Sequence, residues 1–279
     1  MNIQRIAAFS QGSKGGNPAG VVLLQDTAAE ADMARIAAEV GYSETAFAVA
    51  QDKDEKSWRV RYFSPESEVP FCGHATIALG AALGKRNGSG TYSLILNDAT
   101  ITVDANATPN GMIASLSSPP TKSRMMTREE RDDVMALFHL TADDLDDRLA
   151  PAHIHGGADH IVLPLRSRSR LAAMAYDLDR GRQVMRKHNL VTVMLVYIDA
   201  DQSFVVRNAF ASGGVLEDPA TGAAAAAFAG YLRDVEWPHG GQFTIHQGQD
   251  MGCPSQIDVS LDDIAGASVK VSGSARDLM

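Results

Sequence analysis

At 279 residues, with 45% hydrophobic and 21% charged side chains, the chain is long enough for about two domains and too apolar to be disordered. Its 25 Lys and Arg against 34 Asp and Glu give a net charge of -9, which excludes the basic footprint of a nucleic-acid binder but not a small anionic ligand held by local donors. Two cysteines, Cys72 and Cys253, build no disulfide framework, and apolar stretches such as Thr192 to Ile198 and Gly222 to Gly230 fall far short of the roughly 20 residues of a membrane span. No signal-peptide apolar region follows Met1 to Arg5, so the expected location is cytoplasmic, with no membrane partner.

In chain order, Thr27 and Glu30 have the spacing of a capping box, and Met33, Ile36, Ala37 and Val40 recur at helical spacing until Gly41 stops the run. Thr45 to Ala50 and Trp58 to Phe63 read as neighbouring strands. A small-residue apolar helix is predicted over Gly73 to Leu83, then strands over Tyr92 to Leu96 and Thr100 to Asp104. Ser118-Pro119-Pro120-Thr121 is the best linker, because consecutive prolines join neither a helix interior nor a central strand. It divides the chain into 1–118 and 119–279, the last strand being a candidate to return to the first part.

The pattern recurs after the linker. Setting Glu68 to Leu83 against Glu217 to Leu232 aligns Glu68/Glu217, Pro70/Pro219, Gly73/Gly222, Ala75/Ala224, Ala78/Ala227 and Leu83/Leu232. The helical run near 177–188 and strands at Thr192 to Ile198, Phe204 to Phe210 and Gln242 to His246 follow the order of the first half, so two similar halves are expected. In each, a strand leads through a Pro-containing loop to Gly73 or Gly222 and a small-residue helix whose first N–H groups carry partial positive charge. Two such ends facing one cleft would suit a carboxylate or an enolate. No phosphate-binding glycine loop and no G-x-S-x-G is present.

Polar candidates near these helix starts are His74 beside Cys72, Asp218 in the second half, and Glu44 before the strand Thr45 to Ala50. Sheltered by Phe47 and Phe71, Glu44 would have the raised pKa of a proton carrier, though its spacing alone reads as a solvated loop acid. Cys72 is either an acidified thiol at a helix start or a small buried residue in a tight turn. His153, His155 and His160 form an H-x-H-x₄-H cluster that lacks a completing ligand and reads as strand surface, so no metal is expected.

Gly16-Asn17-Pro18-Ala19-Gly20, Ser43-Glu44-Thr45-Ala46-Phe47, Arg61-Tyr62-Phe63-Ser64-Pro65, Phe71-Cys72-Gly73-His74-Ala75-Thr76, Glu217-Asp218-Pro219-Ala220-Thr221-Gly222 and the closing Gln247-Gly248 and Gly252-Cys253-Pro254-Ser255 together resemble the phenazine biosynthesis PhzF-like family, in order over nearly the whole chain. The resemblance implies a diaminopimelate-epimerase-like α+β fold: two pseudo-symmetric lobes, each a curled, mostly antiparallel sheet around a central helix, with the active site between them. It implies a homodimeric isomerase that shifts a proton on a small carboxylate substrate without metal or organic cofactor. By matching motif, Glu44 is the acid/base, His74 and Asp218 orient the substrate, and the backbone at Gly73 and Gly222 cradles its carboxylate. Asn17, Cys72, Gly157, Thr221 and Ala223 complete the implied substrate-binding set.

Two departures bear on the substrate: Ala223 stands where the family usually has Ser, and Cys253 where it usually has Arg. The alternatives are a catalytically reduced ligand-binding or interaction protein, for which Ala223 speaks, and a two-thiol amino-acid racemase, against which Thr221 stands in the second thiol's place.

Overall fold

The computed structural model describes residues 2–97 and 99–278 and divides into two compact units, 1–117 with 272–279, and 118–271. In the first unit the chain runs β1 (Gln4–Ala8), β2 (Asn17–Leu24), α1 (Glu30–Val40), β3 (Thr45–Ala50), β4 (Ser57–Phe63), β5 (Glu68–Val69), α2 (Gly73–Asn87), β6 (Gly90–Ile95), β7 (Thr100–Thr108) and β8 (Gly111–Ser117). The second unit holds β9 (Lys122–Met125), α3 (Arg128–Leu137), β10 (Ala152–His155), β11 (Asp159–Leu165), α4 (Arg168–Ala172), α5 (Leu178–Lys187), β12 (Thr192–Ala200), β13 (Ser203–Ala209), β14 (Glu217–Asp218), α6 (Gly222–Asp234), β15 (Gln242–Gln247) and β16 (Ser255–Ser260). The last strand, β17 (Lys270–Asp277), pairs antiparallel with β1 through Ala275 to Asp277. Among the described residues no helix is long and apolar enough to cross a membrane.

One pairing scheme serves both units. In the first, β1 pairs antiparallel with β2, β2 parallel with β3, β3 antiparallel with β4, and β4 antiparallel with β5 and parallel with β6. In the second, β10 through β15 repeat that sequence of antiparallel and parallel pairs in the same order. The 149-residue spacing between Glu68 and Glu217 therefore has a structural counterpart. Each of these glutamates takes a two-pronged hydrogen bond from an arginine on the preceding strand: Arg61 Nε at 2.7 Å from Glu68, and Arg207 Nε at 3.0 Å from Glu217. Arg–carboxylate forks fix geometry as well as charge, and here they tie down the short hairpin that leads into each central helix.

The two helices that follow are buried on every side and are built mostly from small apolar residues. In α2 the residues from His74 to Gly84 are all buried; in α6, Ala224 to Arg233 are. Small residues let the strands come close. A Cβ on Gly80 would lie 2.5 Å from Val103 Cγ2, and one on Gly230 would lie 2.4 Å from Thr121 Cβ.

One expected cap is absent. The helix α1 begins at Glu30, its N-cap is Ala29, and no side chain caps it. Thr27 stands before that cap, and the Glu30 carboxylate reaches across to Arg61 at 2.9 Å. Gly41 does end α1, in the left-handed region at φ 72° where glycine carries no Cβ penalty. A reciprocal capping box is found instead at Thr127 and Glu130, which opens α3.

Candidate active site

In the first unit the loop before β3 and the first turn of α2 meet. The Glu44 carbonyl accepts the Gly20 N–H at 3.1 Å, which anchors the acid to the end of the β2–β3 pair. From α2, Thr76 donates its hydroxyl to the Cys72 carbonyl at 2.7 Å and shares a 2.6 Å hydrogen bond with the Tyr62 hydroxyl. Complete burial pushes the Tyr62 phenol above its ordinary pKa, so it stays neutral and holds this turn as a hydrogen-bonding group. Between these anchors lie His74 and Glu44, with side chains only 8% and 14% exposed.

The imidazole of His74 is contacted on both nitrogens. Cys72 Sγ lies 3.3 Å from Nδ1, while Nε2 has Ser43 Oγ at 3.4 Å and Glu44 Oε2 at 3.4 Å. The Glu44 contact has ion-pair distance but not hydrogen-bond geometry, and Oε2 is a buried oxygen with no hydrogen-bond partner. Leaving such an oxygen unsatisfied costs about 1–3 kcal/mol, a cost that a ligand proton would relieve. Glu44 is therefore not the solvated loop acid its spacing alone describes. Phe47, expected to shelter it, packs into the cluster beneath α1 with Val22, Met33, Ile36 and Phe63, while Phe71 packs edge-on against Tyr62. Asn17, 2% exposed, begins β2 opposite Ala8.

The second unit builds a different set at the start of α6. Thr221 donates its hydroxyl to Asp218 Oδ2 at 2.5 Å. Gln247 from β15 donates to the Asp218 carbonyl at 2.7 Å and to Thr221 Oγ1 at 3.1 Å, and accepts the Thr221 N–H at 3.2 Å. Asp218 and Gln247 are 7% and 1% exposed, so this amide braces the turn from inside. Gln247 belongs to the Gln247-Gly248 pair, and the strand return that places β15 beside β13 brings it to this turn. Gly222 and Ala223 form the first turn of α6. Gly157 sits in the β10–β11 turn at φ +98° against Pro119, and a Cβ on the adjoining Gly156 would meet α6 at Ala227, beyond its first turn.

Beside Asp218 in the β13–β14 ladder is Asn208, fully buried, with neither amide atom hydrogen-bonded. Its counterpart in the first unit is Tyr62, which sits opposite Val69 in the β4–β5 ladder. Helix position 76, which answers Tyr62 with a hydroxyl, is matched by Ala225.

The histidine cluster is not strand surface. His160 is fully buried, its Nδ1 2.7 Å from Thr192 Oγ1, and burial drives its pKa down to about 3. His153 lies between Glu130 at 2.9 Å and Asp159 at 3.2 Å, and His155 contacts the same Asp159 oxygen at 2.9 Å. The α3 cap explains the difference, because it turns the Glu130 carboxylate toward β10, where a histidine answers it.

The model of the PhzC-PhzF family, phenazine biosynthesis-like proteins, matches residues 6–279. The chain is 28% identical over 284 residues to the uncharacterized isomerase YddE of Escherichia coli K12, covering 98% of this chain and 95% of that protein. It is 29% identical over 272 residues to the trans-2,3-dihydro-3-hydroxyanthranilate isomerase of Pseudomonas chlororaphis, covering 96% and 94%. In fold it is similar to a Bacillus anthracis PhzF-family protein, with a TM-score of 0.86 at 21% identity over 99% of this chain and 96% of that one. A family match across both units, with relatives named as isomerases and a shared mixed α/β fold, establishes that the chain belongs to the PhzC-PhzF family of phenazine biosynthesis-like proteins, a family that includes isomerases.

Proposed function

We propose that the protein is an isomerase that moves a proton between two carbons of a small carboxylate substrate, using Glu44 as acid/base and no cofactor. The observation that carries this reading is the buried, unpartnered Oε2 of Glu44 held 3.4 Å from His74 Nε2. The Glu44 carboxylate takes a proton from one carbon, the electron pair spreads into a dienolate, and the resulting acid returns the proton to another carbon, so the enzyme ends unchanged. His74 and Asp218 orient the substrate, Asn17 and Gly157 border it, and N–H groups at the starts of α2 and α6, around Gly73 and Gly222, stabilise its carboxylate and the developing charge. Joint use of both sets on one substrate is part of the proposal and rests on the family resemblance.

The test is deuterium incorporation in D₂O, read by NMR, across a panel of cyclic and amino-acid carboxylates that includes trans-2,3-dihydro-3-hydroxyanthranilate. Glu44→Gln is expected to lower exchange by about 100-fold or more. Exchange that survives Glu44→Gln and vanishes in Cys72→Ala would overturn the reading in favour of a thiol base. Tight binding of a panel member without exchange would favour a ligand-binding protein. A two-thiol racemase is disfavoured because the second position is Thr221, whose hydroxyl is committed to Asp218.

A further inference from the structure

The groups around His74 form more than a proton-transfer site. A carboxylate oxygen of Glu44, the sulfur of Cys72 and a ring nitrogen of His74 all lie within 4.8 Å of one another, and among the described residues no other trio of His, Cys, Asp or Glu gathers so closely. All three belong to the first unit. We propose that this trio is a binding site for a thiophilic divalent cation of the Zn²⁺ class, which acts there as an inhibitor and not as a resident cofactor.

The Glu44–His74 distance suits the ion. Zinc bonds of about 2.0–2.3 Å to O, N and S, arranged tetrahedrally, separate the ligand atoms by about 3.3–3.6 Å. Here Nε2 of His74 lies 3.4 Å from Glu44 Oε2, while Cys72 Sγ sits 3.3 Å from Nδ1 and 4.0 Å from Nε2, so closing on an ion requires the Cys72 side chain to leave Nδ1 and rotate toward the Nε2 side. The donor types match a borderline-soft ion: thiolate, imidazole and carboxylate, with the fourth position left for water. A second observation points the same way: Glu44 Oε2 is buried and has no hydrogen-bond partner. The other histidine cluster differs on this point, because His153 and His155 already share one oxygen of Asp159.

On binding, the Cys72 thiol gives its proton to the buffer and sulfur donates to the metal; no redox change is involved. Because the bound ion occupies Glu44 and His74, it removes the acid/base and its neighbour together. The inhibition rests on the isomerase reading above, whereas the site itself is inferred from the donor atoms alone, so its test is spectroscopic.

The full chain, treated with EDTA and desalted, is titrated with Co²⁺ as probe and then with Zn²⁺ in competition. One equivalent of Co²⁺ is expected to give a thiolate-to-cobalt absorption band in the near ultraviolet, with Zn²⁺ displacing it. Cys72→Ala abolishes the band, Cys253→Ala keeps it, and Glu44→Gln and His74→Gln each weaken Zn²⁺ binding by about 10-fold or more, at least the loss caused by removing an outer-shell partner. Absence of a thiolate band at saturating Co²⁺, or its loss in Cys253→Ala with retention in Cys72→Ala, overturns the proposal. Should Cys72→Ala fail to fold, Zn²⁺ is expected to protect Cys72 of the wild-type chain from methyl methanethiosulfonate, mapped by mass spectrometry. Equal labelling with and without Zn²⁺ refutes it.

Discussion

Acidification should destabilise the second unit through His160. This imidazole is fully buried, and its folded-state pKa of about 3 lies below the ordinary 6.5. The unfolded chain therefore takes up a proton near pH 6.5 that the folded chain refuses until near pH 3. The stability held by the neutral ring is complete above pH 6.5 and is withdrawn as the pH falls, at about 1.36 kcal/mol per unit. By pH 5 the loss amounts to about 2 kcal/mol, a large share of the 5–15 kcal/mol typical of a domain. The comparison variant is His160→Asn, whose amide can still meet Thr192 Oγ1 but does not titrate. Urea unfolding at pH 7.5 and pH 5.0 supplies the two free energies. Trp58 lies in the first unit and Trp237 in the second, so a Trp58→Phe background makes tryptophan fluorescence report the second unit. Between the two pH values the parent should lose about 2 kcal/mol more than His160→Asn. Equal losses would show that His160 is not buried as a neutral ring and would refute the reasoning.

Glu130 tests the opposite kind of group: the Arg124 guanidinium, with the Thr127 N–H and His153, holds its carboxyl far below the ordinary range. The stabilisation is present above the unfolded pKa and lost as pH falls through the folded one, so Glu130→Gln should cost about 1–3 kcal/mol at pH 7 and progressively less below pH 4, measured by urea unfolding. Gly80→Ala should cost about 1–3 kcal/mol by overpacking against Val103, with part recovered in the Gly80→Ala, Val103→Ala double variant; thermal unfolding reads both. Gln247→Leu should lower deuterium exchange by about 10-fold or more while Glu44 stays in place, because Asp218 and Thr221 lose their shared brace. Unchanged exchange in that variant would remove Gln247 from any positioning role.

Local patterns in the sequence suffice where one element decides the outcome. Thr45 to Ala50 is a strand with the expected bounds, Gly41 ends its helix, and the small-residue run from Gly73 is a buried helix. Glu68 and Glu217 matched in the alignment, yet their arginine partners lie on the preceding strands and emerge only from the hairpin registers. The Thr27 and Glu30 spacing misled because a capping box needs the threonine at the N-cap, and the chain reaches its helical dihedrals two residues later. Glu44 read as a solvated acid from its loop because its cover comes from a helix start thirty residues onward. His153 and His160 read as surface because their partners, Glu130 and Thr192, lie 23 and 32 residues away in sequence. For Glu44 and the histidines the missing information was a tertiary contact that no residue spacing encodes.

The two helix starts differ in which residues tie them. In the first unit Tyr62 is hydrogen-bonded to Thr76, so replacing either removes a buried partner and disturbs the turn that carries Cys72 and His74. In the second unit Asn208 holds an amide with both atoms unspent beside Asp218, and Ala225 offers it nothing to grip. The α6 turn is braced instead by Gln247 and Thr221, so the strand position beside each helix start has an unequal capacity for change. Substitutions at Asn208 and Ala225 start from no hydrogen bond to lose, so the second unit can vary at a pair of positions where the first, with Tyr62 and Thr76, cannot without breaking a buried bond.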